Sequence, residues 1–136
     1  MKIFRDAVHL KTRAFLQFVD LTDKIAASLT KSKIKNGFVT IFTKHTTAAI
    51  RVNEKEKGII NDFKKMAEKI APKKAYWEHN DLRKRTENLV CSPGASDCQN
   101  AHSHLLQLLM GTSETIPVVE GKLSLGPWQR IFLIEL

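Results

Sequence analysis

The sequence predicts an α+β fold built on a largely antiparallel sheet. Three observations carry that prediction. First, 136 residues with 43% apolar content suit a single domain, 1–136, with a real core. Second, strand-like and helix-like segments follow in the order β-β-α-β-β-α-α-β-β-β, not in the regular alternation of a parallel sheet. Third, no repeat, low-complexity stretch or linker interrupts that succession.

Residues 2–10 and 13–20 read as two strands, the second rich in Phe and Val. Thr22 is placed as the N-cap of a helix over 23–31, with Ile25, Ala26 and Leu29 on one face. Asn36-Gly37 makes a turn. Residues 38–53 are strand-like throughout, and fully extended they would span about 50 Å. That is too long for a domain of this size, so the run must bend or bulge, at KHTTAA. Asn53 is placed as the next N-cap, with Glu56 completing a capping box. Ile59, Ile60, Phe63, Met66, Ala67 and Ile70 form that helix's apolar stripe, and Pro72 ends it. Residues 72–98 read as a long loop, a length that favours a functional or mobile segment. Asn100 is the expected cap of a third helix, 101–110, stopped by Gly111. Strands follow in ETIPVV, KLSL and WQRIFLIEL, divided by Glu120-Gly121 and Gly126-Pro127.

The formal charge of +8 suits a nucleic-acid binder or an enzyme for phosphorylated anions. The cations are scattered, however, in KSKIK, two KK pairs and RKR. With no nucleic-acid motif present, they describe solvated surface with general attraction for anions, and no nucleic-acid partner is expected. No apolar run approaches the roughly 18 residues of a membrane span, and the start lacks a signal-peptide core. A cytoplasmic protein without a membrane partner is expected. There Cys91 and Cys98 would be free thiols, although a disulfide across SPGAS is open to them.

Three histidines stand in short polar frames: His45 in KHTTAAIRVNE, His79 in YWEHND and His104 in NAHSHLLQLLMGTS. Imidazole binds metal or moves protons near neutral pH. Thr46 and Thr47 can hold phosphate or orient His45, which could equally bond a backbone carbonyl. On a helix, residues two apart point about 200° apart, so His102 and His104 cannot face one metal. His102 falls in the apolar stripe and reads as a satisfied core histidine, while His104 lies at the stripe's edge. Tyr76 and Trp77 beside His79 form a wall suited to a flat heterocycle, or a plug for the core. Asp97 and Asn100 can orient a histidine or bind a cation. Glu54 is either a catalytic carboxylate or a helix-dipole acid. Ser113 can donate to phosphate or cap a turn, and Gln129 can read a ring edge or face solvent.

The stretches HTTAAIRVNE, YWEH, NAHSHLLQLLMGTSETIPV and GKLSLGPWQRIFLIEL resemble the YjbQ family of small α+β proteins over nearly the whole chain. The resemblance implies a sandwich-like subunit in a homotrimer, with sites near subunit contacts. It implies a thiamine phosphate synthase-like transferase, which joins a pyrimidine diphosphate to a thiazole phosphate and releases pyrophosphate. It places His45, Glu54, His79, Asn100, His104, Ser113 and Gln129 on family motif positions. It also implies a divalent ion, Zn²⁺ or Mg²⁺, at His45, His79 and His104. The small phosphorylated substrate would be held by Ser113 and the third helix's first amides, with Tyr76 or Trp77 stacked on its ring. The alternative is a non-enzymatic trimer that binds a metal or a phosphometabolite. Two departures stand out. The family's LGTWQ is LGPWQ here, so Pro127 removes a hydroxyl and an N–H. Relatives also continue past the position of Leu136 with an Asp-Gly-Pro-Arg turn and another strand.

Overall fold

The computed structural model describes residues 2–89 and 98–136. The strands are β1 (Phe18–Asp20), β2 (Gly37–Phe42), β3 (Ala48–Glu54), β4 (Ser113–Val119), β5 (Lys122–Leu123) and β6 (Gln129–Glu135). The helices are α1 (Thr22–Ser32), α2 (Lys57–Ile70) and α3 (Ala101–Met110). The strands form two antiparallel sheets, β1-β6-β3 and β2-β4-β5. The fold is the expected α+β arrangement.

The first sheet is the middle layer, because both its faces are buried. On one face Ile50 and Ile131 meet Ile41 and Ile116 of the second sheet, with Leu21 and Ile25 at α1. On the other, Ala49, Phe132 and Ile134 meet Ala67 of α2 and Leu106 of α3. Successive strand side chains point to opposite faces, so a strand buried on both sides has to be apolar at consecutive positions. That is why β6 reads Ile131-Phe132-Leu133-Ile134 rather than as an alternation.

The long run 38–53 bends at a corner between sheets. β2 ends at Phe42, β3 begins at Ala48, and the two strands belong to different sheets. Residues 43–47 are pinned at both ends. Thr43 N donates to Thr112 O at 3.0 Å, and Leu136 N donates to Thr47 O at 2.9 Å.

Several expected elements are corrected. Residues 2–10 form no strand and are largely exposed. The 13–20 strand shrinks to β1, because Leu16 takes a left-handed φ of 53°, incompatible with a strand. KLSL pairs only at Lys122 and Leu123. Thr22 does not cap α1. It is the first helical residue, and its hydroxyl accepts from Ile131 N at 2.8 Å, tying the helix to β6. Asp20 accepts from Thr22 N instead, at 3.0 Å. Asn53 accepts only from its neighbour Glu54 N, and α2 starts a turn later. Glu56 is its N-cap, accepting from Gly58 N and Ile59 N. Those amides hold the Glu56 carboxyl below its ordinary range. The α2 stripe is only part-covered: Ala67 is buried and Phe63 half-buried, while Ile59, Met66 and Ile70 are exposed. Cys98 is disulfide-bonded rather than a free thiol. Cys91 and Asp97 lie outside the described residues. Among the described residues no helix is long and apolar enough to cross a membrane.

Asp20 yields a prediction. Burial pushes its carboxyl up, but Thr22 N, Arg130 and Lys55 together outweigh that and hold it at about 2, against an ordinary 3.8. The folded-state value is the lower one. Its contribution to stability is therefore full above 3.8 and lost as pH falls toward about 2. Urea titrations down that range should show the loss in the wild type and a shallower one in Asp20→Asn. Parallel curves would contradict this account of the carboxylate.

Candidate functional site

The site is organised by the start of α3. Asn100 holds the N-cap position, yet its side chain makes no capping bond. Its Oδ1 instead lies 3.1 Å from His79 Nε2. The orphan amide of Ala101 donates to Asn80 Oδ1 at 3.0 Å, so α3 is capped from a segment 21 residues earlier. Asn80 closes a 3₁₀ turn, Glu78–Asn80, which also carries His79. Trp77 precedes that turn, and its Nε1 donates to Pro72 O at 3.0 Å, anchoring the indole to the end of α2.

His104, one turn into α3, meets His79 edge-on with ring centroids 4.7 Å apart at 63°. The backbone of Thr46, in the sheet-switching corner, lies near enough to His104 to favour its protonated form. Burial lowers the His104 pKa, and the charges of His79 and Arg85 lower it further, against the opposing Thr46 backbone. A neutral imidazole at pH 7 follows. His79, His104 and Trp77, with Glu78, Ala101 and Leu105, line a cavity of about 270 Å³. That volume takes one small ring, so a phosphoryl tail or a second reactant would extend beyond these lining residues.

Arg85 meets the same ring nitrogen of His79, with Nη1 3.1 Å from Nε2. Two demands therefore meet on one nitrogen. Asn100 Oδ1 needs a proton on Nε2, whereas the guanidinium needs its lone pair.

The remaining candidates are spread out. His45 is exposed in the 43–47 corner and makes no side-chain hydrogen bond to a described residue. Thr47 enters through its backbone carbonyl, which accepts from Leu136 N, and Thr46 brings its backbone near His104. Tyr76 is exposed, donates to Asp81 Oδ2 at 3.3 Å and lies under Lys84 Nζ at 5.5 Å. Glu54 lines a separate cavity of about 170 Å³ with Arg51, Phe63 and Met110. Ser113 is an exposed first residue of β4, paired with Phe42. Gln129 folds back to accept from Gly126 N at 2.8 Å, closing the turn before β6. His102 is buried against Phe15, as its place in the stripe indicates, but its Nδ1 has no hydrogen-bond partner.

Sequence reasoning missed Asn80 and Arg85. Arg85 sits in an ordinary RKR charge run, and Asn80's partner is remote in sequence, so neither carries a local signal. The donor set falls short of the implied metal centre. It offers two imidazoles, with a guanidinium aimed at the lone pair a metal would take. Among the described residues no three His, Cys, Asp or Glu side chains converge for an ion.

A family model described as UPF0047 protein YjbQ-like matches residues 6–136. A UPF0047 protein of Methanothermobacter thermautotrophicus is 33% identical over 136 residues, covering 100% of this chain and 85% of its own. One from Archaeoglobus fulgidus is 33% identical over 126 residues, covering 93% and 86%. Among solved structures, a YbjQ-like protein of unknown function from Sulfolobus solfataricus P2 superposes with a TM-score of 0.79. It is 36% identical, with 93% of this chain and 81% of that one covered. An uncharacterised yjbq/upf0047 family protein from Clostridium acetobutylicum gives 0.77 at 31% identity, covering 93% and 85%.

The cap exchange is open to test by amide hydrogen exchange. Asn80→Ala should speed exchange in the first turn of α3 and cost about 1 kcal/mol, while Asn100→Ala leaves that turn protected. The opposite order would show that Asn100 is the cap. In an NMR titration His104 should protonate below its ordinary 6.5, and His79→Ala should bring it part of the way back.

Proposed function

This chain belongs to the UPF0047 YjbQ-like family, and from that premise we propose that it is a thiamine phosphate synthase-like transferase of the cytoplasm acting on phosphorylated heterocycles. The observation that carries the proposal is the edge-on pair of His79 and His104 beside Trp77 in one cavity. In the reaction the thiazole nitrogen attacks the pyrimidine's methylene carbon. The carbon–oxygen bond to the diphosphate breaks, and pyrophosphate leaves with the bonding pair.

The chain's own groups suit the charge that develops. Trp77 offers a face for the pyrimidine. A proton on His79 Nε2, shared with Asn100, can pass to the departing oxygen, a contribution typically worth about 10²–10⁴-fold in rate. His104, held edge-on against His79, is neutral and can offer a ring nitrogen as an acceptor near the reacting groups. A cation beside the pair favours a leaving group that gains negative charge.

A homotrimer belongs to the same proposal, and so does a divalent ion, for which the two imidazoles of this site are not by themselves a seat. The trimer is supported by unusually exposed apolar side chains. Phe38 and Phe42 lie on the outer sheet, Leu108 and Leu109 on α3, and Met66 and Ile70 on α2. Apolar surface of this kind marks association faces. Sedimentation should give a mass three times that of the chain, and a monomer would count against the trimer.

The activity is tested by incubating purified protein with both substrates, with and without added Mg²⁺ or Zn²⁺, and following pyrophosphate release. His79→Ala and His104→Ala should each cut turnover by at least about 100-fold. Binding of both substrates without turnover would replace the transferase with a non-enzymatic phosphometabolite-binding protein. Neither binding nor turnover would contradict both.

A further inference from the structure

We propose that Arg85 is the anion-recognition residue of the His79–His104 site and that it grips the phosphoryl end of the ligand. This rests on the site reading above and adds to it the group that meets the charge.

Arg85 is half-buried, and its hydrogen-bond acceptors among the described residues are all neutral. Its Nε donates to Glu87 O at 3.2 Å and its Nη2 to Asn88 O at 3.1 Å. Its Nη1 faces His79 O and Cys98 O, each at 3.4 Å, and His79 Nε2 at 3.1 Å. Among the described residues, Arg5 and Arg13 are exposed and likewise have no ion pair, while the other three arginines behave differently. Arg51 pairs with Glu114, Arg83 with Asp81, and Arg130 with Asp20 and Asp23. Among the described residues no carboxylate lies within ion-pair distance of Arg85. A partly desolvated charge without a counter-ion is costly unless something compensates it. Backbone carbonyls fix the direction of a guanidinium but leave its net charge unspent, which is what an anion seat requires.

The neighbouring charges do not supply the missing partner. Glu78, the carboxylate lining the cavity, is exposed and pairs with Lys84 at 3.4 Å. Asp81 is taken by Arg83 and Tyr76. The crowding at Nη1 points the same way. It has three acceptors for two protons, and His79 Nε2 is the one that Asn100 contests. An anion oxygen between Arg85 and His79 would take the Nη1 hydrogen bond. Nε2 could then keep a proton for Asn100 and the ligand. The site changes from a strained cation–imidazole contact into a bridged anion.

The test is calorimetric titration of the full chain with pyrophosphate at low ionic strength. Wild type is expected to bind. Arg85→Gln should weaken binding by about 10- to 100-fold, the range of a charge-assisted hydrogen bond. Arg85→Lys keeps the charge but not the fork and should fall between the two. Arg83→Gln, at an exposed and already paired arginine, should bind as wild type does. Wild-type affinity in a folded Arg85→Gln would make Arg85 a structural clasp, overturning the inference while leaving the site reading intact. If that variant does not fold, Arg85→Lys decides, and full affinity there overturns the inference. Failure of the wild type to bind pyrophosphate would overturn both.

Discussion

The amide of Ala101 opens a helix packed into the core, and it needs an acceptor. Asn80 provides one at 3.0 Å, and much of the site depends on that bond. An uncapped first turn frays, and a fraying α3 could not hold His104 at a fixed distance from anything. Because the acceptor comes from the Glu78–Asn80 turn, the same bond that closes the helix also draws His79 against it. Asn100, relieved of capping, is free to meet His79. A local cap would have stabilised α3 equally well and left the two histidines unconnected.

What makes α3 a rigid platform is the double-faced middle sheet. Ala49 is small and fully buried, which lets the helical layer approach β3, and Leu106 fills the space beside Phe132 and Ile134. The opposite face of the same strands holds the second sheet through Ile50 and Ile131. Residues 43–47 carry the chain from one sheet to the other and bring the Thr46 backbone near His104. The imidazole pair itself is supplied by two segments, the 3₁₀ turn and the helix. Glu54 leaves β3 at its other end and lines a different cavity, beside Arg51 and Phe63. Within one chain the carboxylate and the histidines are distinct features.

The fold was largely legible because its signals are local or periodic. The excessive length of 38–53 and the Gly111 stop of α3 each state a geometric demand. Elements failed where a partner was needed to decide. Residues 2–10 look like a strand, but no sheet edge accepts them. Thr22, Asn53 and Asn100 are good capping residues by type, yet each side chain finds another partner: Ile131 N, Glu54 N or His79. Side-chain chemistry alone cannot rank those partners. The same limit applies at the site. Helical geometry separates His104 from His102, but the contact with His79 depends on how the loop returns. Arg85 becomes visible only once its carbonyl acceptors are in place, with no carboxylate among the described residues at ion-pair distance.

The central claim is that His79 and His104 form one anion-responsive site. The most direct measurement is the NMR spectrum of imidazole-labelled protein during titration with pyrophosphate. The resonances of His79 and His104 should move together along a single saturation curve, while His9, in the exposed N-terminal segment, stays still. Movement of only one of the pair, two different curves, or a uniform drift that includes His9 would contradict the account.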